Sequence, residues 1–415
     1  MSNAFKSATS RLLVSAIVIF AAAAVCAVDK PVSDLKSLYE AHRWFQLRDA
    51  LGTTKVSDLF RAAVSSAFNQ RDEAEKYLLN AIASAPRSKD ATEARELLIH
   101  LYLRSGQYSE AMPLVAESLH TSASRNDRNA SLEFVQLRDQ SVISRGASTM
   151  HYQMSDVGMS VPISINGDSA NFIFDTDSNI SVISESEARR LDLLIFHGNF
   201  AVSGVTGSAS GGARVATARE VVVGNFHFKN VAFLVLNDDQ EPFAELPAGK
   251  RGIIGMPVIL AFQTIRWRRD GTLDIGFPPA PADLSRSNLC FDGEHPVTQF
   301  DFDGRKLEFV LDTGASESEL WPAFAKDFAA LLEKSGKKDS RKFTGYTGSG
   351  DFAVVMLPEI QLRLGEFAGV LRPADVVTKP SVSTSNWYYG RAGMDILNQA
   401  QTVTIDFNAM TFRLN

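Results

Sequence analysis

From residue 156 onward the chain is written twice, and a tandem duplication constrains a fold more tightly than composition does. Gly167 aligns with Gly304, Phe172 with Phe309, Asp175 with Asp312 and Thr176 with Thr313, each pair 137 residues apart. Gly204-Val205-Thr206-Gly207-Ser208 aligns with Gly345-Tyr346-Thr347-Gly348-Ser349 at an offset of 141, which Gly224 and Phe226 keep with Gly365 and Phe367. Gly252, Gly255 and Met256 align with Gly390, Gly393 and Met394 at 138. Extra residues near Lys334 to Lys338 and a later loss account for the shifts. Both copies consist of short β-rich runs with Gly and Asn turns. In each, an apolar strand (171–174 or 307–311) ends in Asp-Thr. A Gly-containing hairpin follows, then a small-residue step to Gly and a last strand.

The preceding part is different in kind. Residues 30–140 have helical periodicity and few Gly or Pro, which predicts a helix over 57–85 ending at Pro86. A second is predicted over 90–119, broken at Ser105-Gly106. Ala74, Leu78, Ala81 and Pro86 fall at helical spacing, and Leu98, Tyr102 and Ala111 take matching places one unit later. The pattern resembles tetratricopeptide-type helix pairs, without their tryptophan and usual glycine. The other reading is an irregular helical bundle. Tetratricopeptide-type stacks bind peptides or proteins, so a protein partner is expected at this part. Residues 141–155 show no clear period and read as a linker.

At the start, Lys6 and Arg11 precede an apolar run from Leu12 to Ala24, and Val25-Cys26-Ala27 offers a small-residue cleavage site. This is the layout of a secretory signal peptide covering 1–27, with an uncleaved N-terminal anchor as the alternative. A secreted or periplasmic location follows from it. The mature chain would keep one cysteine, Cys290, which rules out an internal disulfide and reads as a buried small hydrophobe. With 42 basic and 48 acidic residues, the net charge of −6 argues against general nucleic-acid binding. The histidines show no paired metal spacing.

Asp312-Thr313-Gly314-Ala315-Ser316 after the apolar Phe309-Val310-Leu311, with a partner 137 residues upstream, resembles the pepsin/retropepsin clan of aspartic peptidases. The resemblance covers about 156–415. It implies a multidomain chain: an N-terminal all-α helical repeat and a C-terminal all-β, two-lobed acid-protease fold. The expected divisions are 28–140 helical, 141–155 linker, 156–283 first lobe and 284–415 second lobe. It also implies Asp175 and Asp312 as a catalytic dyad acting on a peptide or protein substrate with no cofactor. Two close carboxylates cannot both ionise easily, so one serves as base while the other serves as acid. By the same resemblance Thr176 and Thr313 brace the loops through mutual hydrogen bonds. Gly314 allows a tight turn, and the hairpins with Gly204, Gly207, Tyr346 and Gly348 act as flaps. The equivalent of Tyr346 in the first copy, where two-lobed pepsins carry the flap tyrosine, is Val205.

The first copy departs from the family at Asp177, where Gly is usual. A third carboxylate beside the dyad would raise the pair's proton affinity. Two functions therefore stay open: an exported aspartic endopeptidase, and a catalytically impaired, protease-like peptide-binding or scaffold protein whose helices recruit a partner. Trp387-Tyr388-Tyr389 reads as core or cleft wall, and the basic run Arg266, Arg268, Arg269 as a solvated strand face.

Overall fold

The computed structural model describes residues 34–51, 56–118, 125–155, 158–203, 209–345, 348–380, 384, 385 and 387–415, without side chains at 125–129, 202, 203, 209–211, 343–345, 348 and 349. The expected signal segment lies outside these residues.

Among the described residues seven helices come first: Leu35–Glu40, Trp44–Ala50, Asp58–Ala67, Arg71–Ser84, Lys89–Leu103, Tyr108–Ser118 and Arg125–Phe134. The single helix expected over 57–85 is two, because Asn69 takes a left-handed φ of 54° and turns the chain. Asn adopts that conformation at lower cost than most side chains, and periodicity does not register it. The later break is where the sequence put it, at Gly106 with φ 70°. Ser88 caps the helix Lys89–Leu103 by accepting from the Ala91 N–H. Ala74, Leu78, Leu98, Tyr102 and Ala111 all lie in one buried cluster. Each fully buried leucine there contributes about 1.5–3 kcal/mol. Among the described residues no helix is long and apolar enough to cross a membrane.

The β part forms two ten-stranded sheets and a five-stranded sheet, the two-lobed all-β architecture. Residues 141–155, read from the sequence as a linker, contain regular structure. They form the strands Ser141–Ser144, Ser148–His151 and Gln153–Ser155. These are short, largely exposed edge strands, so they lack the apolar alternation that announces a half-buried strand.

The duplication reappears as duplicated pairing. The first-lobe strand Asp168–Phe174 runs parallel to Gly252–Ile254, with Ile254 opposite Phe174. The second-lobe strand Arg305–Leu311 runs parallel to Gly390–Ala392, with Ala392 opposite Leu311. Each parallel pair delivers an Asp-Thr to the end of its strand. The five-stranded sheet then joins the lobes. Its order is Ser148–His151, Thr272–Ile275, Thr264–Arg268, Thr402–Asp406, Thr411–Leu414: two strands from each copy and one from the segment that precedes them. Ile265 sits opposite Ile405 at the junction. Arg266 and Arg268 lie in this sheet. Both hold Asp274, at 3.0 and 2.7 Å, so they form a local ion-pair cluster rather than a merely solvated face. Trp267 between them is buried because strand neighbours point to opposite faces.

Candidate active site

The two Asp-Thr loops meet at the lobe junction through four buried hydrogen bonds that cross between copies. The Thr176 N–H donates to Thr313 Oγ1 at 3.1 Å, and Thr176 Oγ1 donates to the Leu311 carbonyl at 2.7 Å. In return the Thr313 N–H donates to Thr176 Oγ1 at 3.1 Å, and Thr313 Oγ1 to the Phe174 carbonyl at 2.6 Å. Both threonines are fully buried, so each bond satisfies a group that would otherwise be stranded in the core. The strand ends are fixed alike: the Asp175 N–H donates to Ile254 at 3.1 Å and the Asp312 N–H to Ala392 at 3.0 Å.

This frame brings Asp175 and Asp312 together, each buried at 8% and 5% exposure. The second-loop Gly314 and Ala315 N–H groups donate to Asp312 Oδ1 at 2.8 and 2.9 Å. The Asp177 N–H makes the bond equivalent to the first of these, to Asp175 Oδ1 at 2.9 Å. Gly314 lies in a turn, although its φ is not among the positive ones. A Cβ on it would stand 2.4 Å from Asp175 Cγ, so glycine leaves room for the other lobe's carboxylate.

Behind the loops the two lobes share a second device. Ser181 Oγ accepts from the Gly255 N–H at 3.1 Å, and Ser318 Oγ from the Gly393 N–H at 2.9 Å. These serines are 137 residues apart.

Charge is distributed unequally. Arg391 donates from Nη1 to Asp312 Oδ2 at 3.2 Å, and its Nη2 pairs with Glu319. Asp177, half-buried, turns its carboxylate to His295, with 2.6 Å between Oδ1 and Nδ1. Burial pushes the Asp312 carboxyl up to about 6, Arg391 opposing and the Asp177 charge adding to the rise. The Asp177 charge pushes His295 up to about 9 against burial, and Glu294 and Asp292 add to that rise. A buried carboxyl poised near neutrality beside a second carboxyl can exchange a proton with water or substrate.

Residues 161–258 match the family model described as aspartyl protease. Over that stretch the chain is similar to aspartyl proteases. The matched stretch includes Asp175-Thr176-Asp177, and the second Asp-Thr loop lies outside it. No curated protein matches the chain. A solved retropepsin-like aspartic protease from Rickettsia conorii is 18% identical over 32% of this chain and 93% of that one, with a TM-score of 0.23.

Of the other expected residues, Gly204, Gly207 and Tyr346 lie outside the described residues, and Gly348 opens the strand Gly348–Leu357. In the second lobe, Tyr388 and Tyr389 are core residues, while Trp387 stacks on His42 of the helical part at 4.6 Å between ring centroids. Cys290 is fully buried, and burial pushes its thiol well up. Among the described residues no group of three or more His, Cys, Asp or Glu side chains could hold a metal ion.

Sequence reasoning missed Arg391, Glu319, His295 and the serine pair. Ser181 and Ser318 share the 137 offset of Asp175 and Asp312. The three charged residues have another signature: they stand where the other copy has Ile253, Val182 and Gly158. Differences between the copies beside the loops would have found them.

Proposed function

We propose that the chain is an exported aspartic endopeptidase in which Asp175 and Asp312 activate one water for attack on a peptide carbonyl. The observation that carries this reading is the set of crossed threonine bonds, which bring two buried Asp-Thr loops from opposite lobes to one point. One ionised carboxylate takes a proton from the water as its oxygen attacks the carbonyl carbon. The protonated partner donates to the substrate, and the roles reverse as the C–N bond breaks. The hairpins that carry Gly204, Gly207, Tyr346 and Gly348 close over the peptide and exclude water.

The helical part, read as tetratricopeptide-like pairs, presents the protease to a protein partner. It docks on the second lobe through His42 on Asp292 at 2.8 Å and Arg104 on the Gly293 carbonyl at 3.2 Å. Export follows from the segment 1–27.

The test is cleavage of a peptide library by the chain, with and without an aspartic-protease inhibitor. Asp312→Asn is expected to lower cleavage by about 10²–10⁴-fold. Unchanged cleavage by that variant at acid and neutral pH would remove the enzyme reading. Asp177 motivates the second reading, an impaired peptide-binding module. Asp177→Gly creating activity that the parent lacks would favour it.

A further inference from the structure

The near two-fold relation between the lobes makes a chemical break in it informative. Gly158 opens the strand Gly158–Ile165 and lies against the second loop. A Cβ on it would stand 3.4 Å from the Thr313 carbonyl oxygen and 3.7 Å from that of Gly314. The residue 137 places after Gly158 is His295, which opens the strand His295–Phe302, and the residue 137 places before Gly314 is Asp177. One diagonal across the dyad is therefore Gly158 against Gly314. The equivalent diagonal is His295 against Asp177, joined at 2.6 Å. Where one side has two glycines, the other has an acid and its base.

We propose that His295 is a positioning residue of the dyad: as an imidazolium it holds and neutralises the Asp177 carboxylate, so that the first loop carries aspartate in place of glycine without placing a third net charge on the pair. The inference rests on the aspartic-peptidase reading. An uncompensated Asp177 would raise the proton affinity of both dyad carboxyls and remove the base at neutral pH. With His295 charged, the Asp177–His295 pair is neutral as a whole.

The surroundings keep His295 protonated and in place. Its own hairpin contributes Asp292 and Glu294, and the first Asp-Thr loop contributes Asp177. From the strand Gly390–Ala392, Arg391 faces Asp312. From the helices, His42 and Trp44 bind Asp292 at 2.8 and 3.1 Å, and His100 binds Glu294 at 3.0 Å. The buried Arg104 reaches the Gly293 carbonyl, so the turn that presents His295 is held from behind.

The experiment compares the full chain with His295→Gln, Asp177→Asn and the double variant Asp177→Gly/His295→Gly. Two readouts are taken: the pH profile of kcat/KM on a cleaved peptide, and the carboxyl ¹³C titration of Asp312. His295→Gln is expected to move both limbs of the profile, and the Asp312 titration, upward by about one unit. Asp177→Asn is expected to move them downward. The double variant, which copies the glycine diagonal, is expected to return to near the parent. Limbs and titration unmoved in His295→Gln, or moved in the same direction by both single variants, would overturn the proposal. If the parent cleaves no peptide, the peptidase reading falls. The Asp312 titration alone then decides: an upward shift in His295→Gln supports the pairing, and none overturns it.

Discussion

The two Asp-Thr loops share their backbone bonds and differ in what stands behind them. In the first lobe Ile253 pairs with Val182 across the strands that flank the loop. In the second lobe the same register pairs Arg391 with Glu319. An apolar pair and an ion pair thus occupy one place in one fold. The backbone frame is set by register and by the threonines, which both lobes need equally. The electrostatic setting is free to diverge, and the second carboxylate has the Arg391 guanidinium, which favours its ionised form. Duplication gives the geometry, and divergence behind the loops breaks the equivalence of two like carboxylates.

The comparison can be broken at several places. The largest effect is expected from Arg391→Ile alone, which leaves Glu319, 3% exposed, without its partner. That should cost about 3–5 kcal/mol in urea denaturation. The double variant Arg391→Ile/Glu319→Val, which copies the first lobe, should recover most of the loss. Next is Gly314→Ala, whose Cβ would meet the Asp175 carboxyl at 2.4 Å. Displacing a reacting group by about 1 Å should lower kcat about 100-fold in a peptide-cleavage assay, with little change in helix content. Thr176→Val and Thr313→Val each strand buried partners in the opposite lobe. Each should cost about 1–3 kcal/mol, and the two costs should match because their bonds match in length. Unequal values in denaturant titrations would show that the symmetry of the frame is only apparent.

The smallest effect is a dependence on pH. His295 is raised from its ordinary value to about 9, so the folded state binds its proton more tightly than the unfolded chain does. Stability from the Asp177–His295 pair is therefore fully present below about pH 6.5 and is lost as pH rises to about 9. The ring is 48% exposed at its side chain, so solvent screens the pair and the contribution is modest. Denaturation midpoints followed across this window should fall less steeply in His295→Gln than in the parent.

Much of this arrangement was legible before any coordinates. The 137-residue offset located both loops and both threonines, because a loop that must repeat its geometry repeats its residues. Helices were legible from apolar spacing, since Leu78 and Leu98 face one core. Other features carry no periodic signal. The turn at Asn69 is a single left-handed residue inside a helical pattern. The edge strands at 141–155 bury little and so do not alternate. The joining of the lobes in one sheet is a long-range pairing of Thr264–Arg268 with Thr402–Asp406, which no local pattern encodes. Arg391 and His295 escaped because self-comparison rewards what repeats, and these residues are where repetition stops.

That shared sheet has a consequence for concentration. Two separate halves, each carrying one aspartate, would meet in proportion to how much of each was present, and dilution would part them. Here Ile265 and Ile405 lie opposite each other within a single chain, so the encounter is intramolecular and the local concentration of one loop at the other is constant. The pair of carboxylates is thus as complete in a single isolated molecule as in a crowded compartment.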